Sequence, residues 1–393
     1  MRILLLCDRY PYPLENGQNL RIFHYVRQLS SRHAFDLTCY GEGEVPEAIR
    51  PLFRRIEAFP RPAARHAAGW ARVRGAFAVD SMIPASPAVA ARLKAVLAGG
   101  DYDLVWVSGW DMAVNLPWPL GVPLLMDAVD DGVLEHWREL RAARSLAQFA
   151  RMAKRLAMNY RFERRYFRPA DRCLFVSEVD ARFFAKVCPG TPVSVVHNGV
   201  DEEFFRPVSG ERDPANIVFE GNIGFRPNTD GILHFCREVF PLIRANLPQV
   251  RLTIAGKSPP PEIRALASSH IEVTGQVADV RPYLERAALF VCPLRKGAGI
   301  KNKVLQAWSM AKAVVATPPS VGGLRVRDGE NIVVRDEPES FARAVIDLLR
   351  DPAAREAIGA NARRTVLAHY TWGQKAGELE AVMHEVAAGA YHA

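Results

Sequence analysis

Short apolar runs alternate with segments of helical spacing along the whole chain. In the first half, "RILLLCD" precedes the helix-patterned "LRIFHYVRQLSSR". "FDLTCY", "YDLVWVSG" and "VPLLMDAVD" follow, then a long basic helical stretch. "RCLFVS" leads into "EVDARFFAKV", and "PVSVVHNGV" closes the half. Apolar runs this short and continuous read as strands buried on both faces, and intervening helices make the sheet parallel.

After Asn198-Gly199 the segment "VDEEFFRPVSGERDPAN" is polar and turn-rich, as a linker would be. The grammar then restarts. "NIVFEGNIG" is a strand and "TDGILHFCREVFPLIRANLP" is helical. "VRLTIAG", "IEVTGQV", "LFVCPL" and "AVVAT" are further strands, with "KVLQAWSMAK" as a helix between the last two. Three helical segments close the chain: "PESFARAVIDLLRD", "PAAREAIGANARRTVLAHY" and "WGQKAGELEAVMHEVAA". The pattern predicts two Rossmann-like α/β halves, residues 1–200 and 201–370, and a last helix in 371–393, which is expected to pack back on the first half. Two doubly wound domains are expected to face a cleft lined by their carboxyl strand ends, where ligands of open α/β sheets bind.

The overall composition is that of an ordinary globular protein, 49% hydrophobic and 24% charged. No run approaches the roughly 18 apolar residues of a membrane span. "MRILLLCDRY" reads as a first buried strand and not as a signal peptide. Six scattered cysteines, none at metal-ligand spacing, suggest reduced thiols in a cytoplasmic protein.

Charge changes the picture more. The net charge is +8, and the stretch from Arg138 to Arg168 carries as much by itself. Leu146, Phe149, Met152, Leu156 and Tyr160 are interleaved there at helical spacing, and a second basic and aromatic stretch runs from Arg54 to Arg74. Such helices suit an anionic membrane surface, or nucleic acid, or a solvated arginine-rich face.

One stretch carries candidate chemistry. In "KGAGIKNKVLQAW", Gly297 and Gly299 precede a helical run whose opening holds Lys301 and Lys303. A helix N-terminus presents unpaired N–H groups and a partial positive charge, so glycines and lysines there suit a phosphate. The spacing is neither that of a P-loop nor that of a dinucleotide fingerprint.

Taken in order, "YPYPLENGQNLRIFHYVRQL", "VSVVHNGVDEEFF", "IVFEGNIGFRPNTDGILHF", "LTIAGKSPPPEI" and "VTGQVADVRPYLERAALFVCPLRKGAGIKNKVLQAWSMAKAVVAT" resemble glycosyltransferase family 4 over nearly the whole chain. The likeness is greatest to its bacterial exopolysaccharide-associated sugar transferases. The resemblance implies a GT-B fold and a nucleotide-diphosphate sugar donor held mainly by the C-terminal domain. It also implies transfer without a metal or other cofactor, and retention of anomeric configuration.

On that resemblance, Lys301 and Lys303, with the amides around Gly299 and Asn302, would stabilise the departing diphosphate. The family's basic pair after the first strand of the second domain is missing. Asn222 and Asn228 stand near those positions, with Arg226 and Lys257 as substitutes. Gln276 and Val277 would lie against the base. Ala298 and Gln306 stand where the family often has two glutamates, and Gln306 retains the means to bond ribose hydroxyls.

The acceptor would meet the N-terminal domain, near the Asn16-Gly17 turn. Asp130, Asp127 and Asp131 follow an apolar strand, and a carboxylate there could accept the proton of an attacking hydroxyl, with Asp130 placed best and Asp127 next. One of the three would instead cap the next helix. The acceptor is expected to be a glycan or a lipid-linked glycan at the inner face of the cytoplasmic membrane, with no nucleic acid as partner. A non-catalytic sugar-nucleotide-binding protein and a nucleotide-sugar epimerase of the same fold are the alternatives.

Overall fold

The computed structural model describes residues 1–14, 16–62, 83–141, 143, 145–208, 210, 212–297 and 300–389. The chain divides into two units: Met1–His197 together with Lys375–Ala393, and Asn198–Gln374.

The first unit is a seven-stranded sheet of order β3-β2-β1-β4-β5-β6-β7. Its strands are Arg2–Cys7 (β1), Ala34–Tyr40 (β2), Arg55–Phe59 (β3), Leu104–Ser108 (β4), Leu124–Val129 (β5), Arg172–Phe175 (β6) and Val193–Val195 (β7). Every pairing is parallel, with Leu4 opposite Asp36 on one side and Val105 on the other. Residues Ile3 to Leu6 are all buried. That is why β1 reads as a continuous apolar run and not as an alternation.

The second unit repeats the plan with six parallel strands in the order β10-β9-β8-β11-β12-β13. They are Asp213–Glu220 (β8), Arg251–Ala255 (β9), Ile271–Gly275 (β10), Ala287–Cys292 (β11), Val314–Ala316 (β12) and Val333–Val334 (β13). Phe219 stacks on Phe290 with ring centroids 6.3 Å apart, and Trp308 is fully buried in the same core. In each unit the strand order reverses beside the first strand, between β1 and β4 and between β8 and β11. Crevices form at such switch points, outside the carboxyl strand ends.

β3, β13 and the Pro87–Ala98 helix are among the elements that the sequence pattern does not name. β3 is an edge strand, "RIEAF", with both polar residues partly or fully exposed. It occupies the start of the second basic stretch, where Arg54 pairs with Asp36 at 2.9 Å and Arg92 with Glu57. This part of the stretch is therefore sheet and not an amphipathic helix. Residues 63–74 of it lie outside the described residues.

The first basic stretch breaks into two helices, Gly132–Arg141 and Leu146–Phe162, and a π-turn, Glu163–Phe167. Ser145 caps the second helix, accepting from the Gln148 amide at 3.2 Å. Arg144 lies outside the described residues. The interleaved apolar residues divide. Met152 is buried and Leu156 packs against the core, whereas Leu146 (90% exposed), Phe149 and Tyr160 face solvent with Trp137. Arg138, Arg141, Arg151, Lys154, Arg155, Arg161, Arg164 and Arg165 are exposed beside them.

Among the described residues no helix is long and apolar enough to cross a membrane. All six cysteines are buried and unbonded.

Candidate functional site

In the second unit, a glycine directly follows both β8 and β9. Gly221 and Gly256 each take φ +143°, a conformation side chains rarely adopt. A Cβ on Gly256 would sit 1.8 Å from the Gly221 carbonyl oxygen, so the two turns touch backbone to backbone. A Cβ on Gly221 would sit 2.6 Å from the ammonium nitrogen of Lys303. Gly221 thus clears the space that Lys303 fills.

Lys303 lies in the first turn of the Asn302–Ser309 helix. Its Nζ donates to Asn228 Oδ1 at 2.9 Å and stands 4.2 Å from the Phe219 ring centroid. Asn228 donates in turn to the Asn222 carbonyl at 2.7 Å. Burial lowers the Lys303 pKa, and the nearby Cys292 and Glu220 pull it back up. Burial likewise raises the Glu220 carboxyl, opposed by Lys303.

Lys301 occupies the N-cap position of the same helix without capping it by its side chain. Its Nζ reaches Gly297, where a Cβ would meet it at 2.9 Å. Both lysines therefore lie against glycine backbone at one helix start, where amide groups and the helix dipole add positive potential. The combination suits the charge that develops on a departing diphosphate.

The other sequence candidates fall around this point. Asn302 is the first helical residue, and Asn198 donates to its Oδ1 at 3.5 Å. Gln306 is half-buried one turn further on. The Lys257 carbonyl accepts from Ile223 at 2.9 Å, which ties the turn after β9 to the turn after β8. Asn222 is exposed at the mouth of the β8 turn. Arg226 is exposed and lies 3.7 Å from Asp230, one helical turn on. Gln276, exposed, and Val277, half-buried, follow Gly275 at the end of β10, whose φ is +71°. Gly299 and Ala298 lie outside the described residues. The sequence treats Asn222 and Asn228 as lost cations. The structure makes Asn228 the support of a cation that remains, and a contact spanning 75 residues leaves no local signal.

In the first unit the three aspartates after β5 separate by environment. Asp127 and Arg21 are both fully buried and pair at 2.9 Å. Arg21 also donates to Tyr25 at 3.0 Å and to the Val196 carbonyl at 2.7 Å. Asp131 is buried and accepts from the Leu134 amide at 2.6 Å, capping the Gly132–Arg141 helix. Burial pushes the Asp131 pKa up to about 7, helped by Asp180 and opposed by the Leu134 amide. Burial also raises Glu163, which accepts from the Val133 amide at 3.3 Å, and Asp131 raises it further. Asp130 faces solvent, within the electrostatic reach of Arg21. Of the three, it alone is exposed. Asn16 caps the Gly17–Leu29 helix, accepting from Asn19 at 2.9 Å, with open space around Gly17.

Sequence reasoning missed a polar group at the β1/β4 switch point. Asp8 follows β1 and accepts from Gln18 at 3.2 Å, and Gln18 reaches Ser108 at the end of β4 at 3.4 Å. Arg61 donates to the Asp8 carbonyl at 2.7 Å and pairs with Asp111. Burial raises the Asp111 pKa although Arg61 opposes it. The available signal was a polar residue at the carboxyl end of each strand, "CD" and "SG".

Comparison with known proteins agrees with both halves. A model described as "Glycosyltransferase Family 4" matches residues 15–204, and one described as "Glycosyl transferases group 1" matches 214–351. A GDP-mannose-dependent alpha-(1-6)-phosphatidylinositol monomannoside mannosyltransferase of Mycolicibacterium smegmatis is 25% identical over 404 residues, 96% of this chain and 97% of that one. Among solved structures, sucrose-phosphate synthase from Thermosynechococcus elongatus superposes with a TM-score of 0.72 at 18% identity, covering 99% of each chain. Anabaena Alr3699/HepE, solved with UDP and glucose, gives 0.68 at 14% identity over 97% of this chain and 99% of its own.

Proposed function

Because the chain belongs to glycosyltransferase family 4 and has the GT-B fold, we propose that it moves a sugar from a nucleoside-diphosphate sugar to a glycan or lipid-linked acceptor in polysaccharide synthesis. The observation that carries the reading is the glycine-cleared placement of Lys303 and Lys301 at one helix start. Two ammonium groups and the helix amides there would hold the diphosphate and stabilise it as it leaves. With these cations in place the departing charge is met without a metal, and retention of configuration follows the family pattern. HepE was solved with UDP and glucose, which supports a nucleotide donor of that class.

On the acceptor side, Asp130 is the carboxylate best placed to take a hydroxyl proton, and the polar group of Asp8, Gln18 and Asp111 would hold acceptor hydroxyls. The exposed cations and apolar residues of Leu146–Phe162 would bring the protein to the anionic inner face of a membrane, where lipid-linked acceptors reside.

A panel of nucleoside-diphosphate sugars tests the proposal. Calorimetry in the presence of a chelator should show one nucleoside diphosphate binding, and nucleotide release should follow with acceptor. The product anomer, read by NMR, should match the donor. Tight binding with neither hydrolysis nor transfer would instead mark a sugar-nucleotide-binding protein, and no binding to any nucleotide would remove both readings.

A further inference from the structure

His33, Glu380 and His384 converge in the first unit, with one ligand atom of each lying within 4.8 Å of the other two. His33 ends the loop before β2, and the other two come from the Trp372–Ala387 helix. Glu380 and His384 are four residues apart, so they share one helix face. His33 Nε2 stands 2.7 Å from Glu380 Oε1, and the two imidazole rings meet edge-on with centroids 5.6 Å apart. Two imidazoles and a carboxylate form a donor set typical of zinc.

We propose that this cluster binds a divalent transition metal of the zinc type and clips the C-terminal helix to the start of β2. A tetrahedral zinc holds its ligand atoms roughly 3.4 Å apart. The spacings here, 2.7 Å at one edge and up to 4.8 Å elsewhere, straddle that value. Rotation of the exposed His384 ring closes the set, and water would take the fourth position. His33 is buried, so one ligand is already fixed.

The groups facing the cluster define what the metal must overcome. Arg32 spans both oxygens of Glu380, at 2.9 and 2.8 Å. The Met1 amino group lies 3.1 Å from His33 Nδ1. Arg32 is half exposed and acts as a competing cation, with room to swing into solvent when a metal takes the carboxylate. The cluster sits at the amino end of β2. The aspartates after β5 and the polar group after β1 lie at the carboxyl ends, so the metal's role here is to fasten and not to catalyse.

The test titrates zinc chloride into the full, tag-free chain after chelator treatment, by calorimetry and by metal analysis after dialysis. Wild type should bind zinc stoichiometrically and gain melting temperature with it, because a ligand of the native state stabilises it. His384→Ala should lose both effects while remaining folded, since His384 is exposed. Arg32→Ala should bind zinc more tightly than wild type, because a competing charge is gone. A purely ionic tether would show the opposite pattern: no zinc retained by wild type or by Arg32→Ala. That result overturns the proposal, as does zinc binding that persists in a His33→Gln, His384→Ala double variant. The nucleotide assays above do not depend on this outcome.

Discussion

Lys303 donates to Asn228 across 2.9 Å, and Asn228 is itself anchored by the Asn222 carbonyl at 2.7 Å. An uncharged residue thus aims the cation. Lys303→Met should lower the transfer rate by about 10²-fold, the usual cost of removing a positive donor from developing charge. Asn228→Ala should cost about fivefold, because Lys303 persists without its guide and a typical hydrogen bond contributes about 1 kcal/mol. Arg226→Ala should stay near wild type. Rates measured with saturating donor check all three, and equal losses in Arg226→Ala and Lys303→Met would move the diphosphate toward the exposed arginine.

The two acids of β5 and its turn should separate stability from activity. Asp127 shares a fully buried ion pair with Arg21, so Asp127→Ala should destabilise the chain by about 3–5 kcal/mol by leaving a guanidinium uncompensated. Asp130→Asn should leave the urea midpoint unchanged and reduce transfer while donor binding persists. If Asp130→Asn turns over like wild type, the proton passes elsewhere, and Asp111 becomes the next carboxyl to replace.

Asp131 makes a pH-dependent contribution of known sign. Its pKa rises from the ordinary 3.8 to about 7 in the fold, chiefly through burial. Below about pH 4 the folded and unfolded chains both hold the proton, and nothing is lost. From there to about pH 7 the unfolded chain releases it first, so each unit costs the fold up to about 1.4 kcal/mol. Glu163, also raised, acts in the same direction. Asp131→Asn keeps the cap on Leu134 and removes the titration. The variant should therefore exceed wild type in urea stability at about pH 8, with the gap closing toward about pH 4. A gap that does not vary with pH would show that Asp131 ionises like a surface acid.

The exposed face of Leu146–Phe162 should bind anionic vesicles. Replacing Arg151, Lys154 and Arg155 with glutamine should weaken partitioning by about 10²-fold, at about 1 kcal/mol per charge near the surface. Salt should release the wild type only in part, because Leu146 and Phe149 add apolar burial that screening does not touch. Met152, already in the core, should not matter to vesicles. Flotation at low and high salt reads each of these. Protein that never floats, yet glycosylates a water-soluble acceptor, would confine this face to solvent.

The parallel sheets were legible because β1, β4 and β11 are buried almost throughout and so spell near-continuous apolar runs, with shorter apolar runs inside β5 and β8. β3 and β13 were not, since an edge strand needs little apolar pattern and a strand of two residues has none. The lysines could be placed at a helix start because the signal is local: glycine, then cation, then helical period. What surrounds them could not. Asn228 under Lys303, Arg61 beside Asp8 and Arg21 against Asp127 join positions 75, 53 and 106 residues apart. The sequence ranks Asp130 ahead of Asp127 and expects one of the three to be a cap, and burial is what divides them into an ion-pair partner (Asp127), a helix cap (Asp131) and an exposed residue (Asp130).

The Trp372–Ala387 helix begins within the second unit and continues into the first, where Leu379, Met383 and Val386 are buried. On the ribosome the first 197 residues emerge well before that helix exists. At about 5–20 residues per second, several seconds or more of translation separate the sheet from its last covering element. During that interval the nascent first unit exposes the apolar patch the helix will cover. The order of synthesis therefore makes completion of the first unit wait on translation of the second.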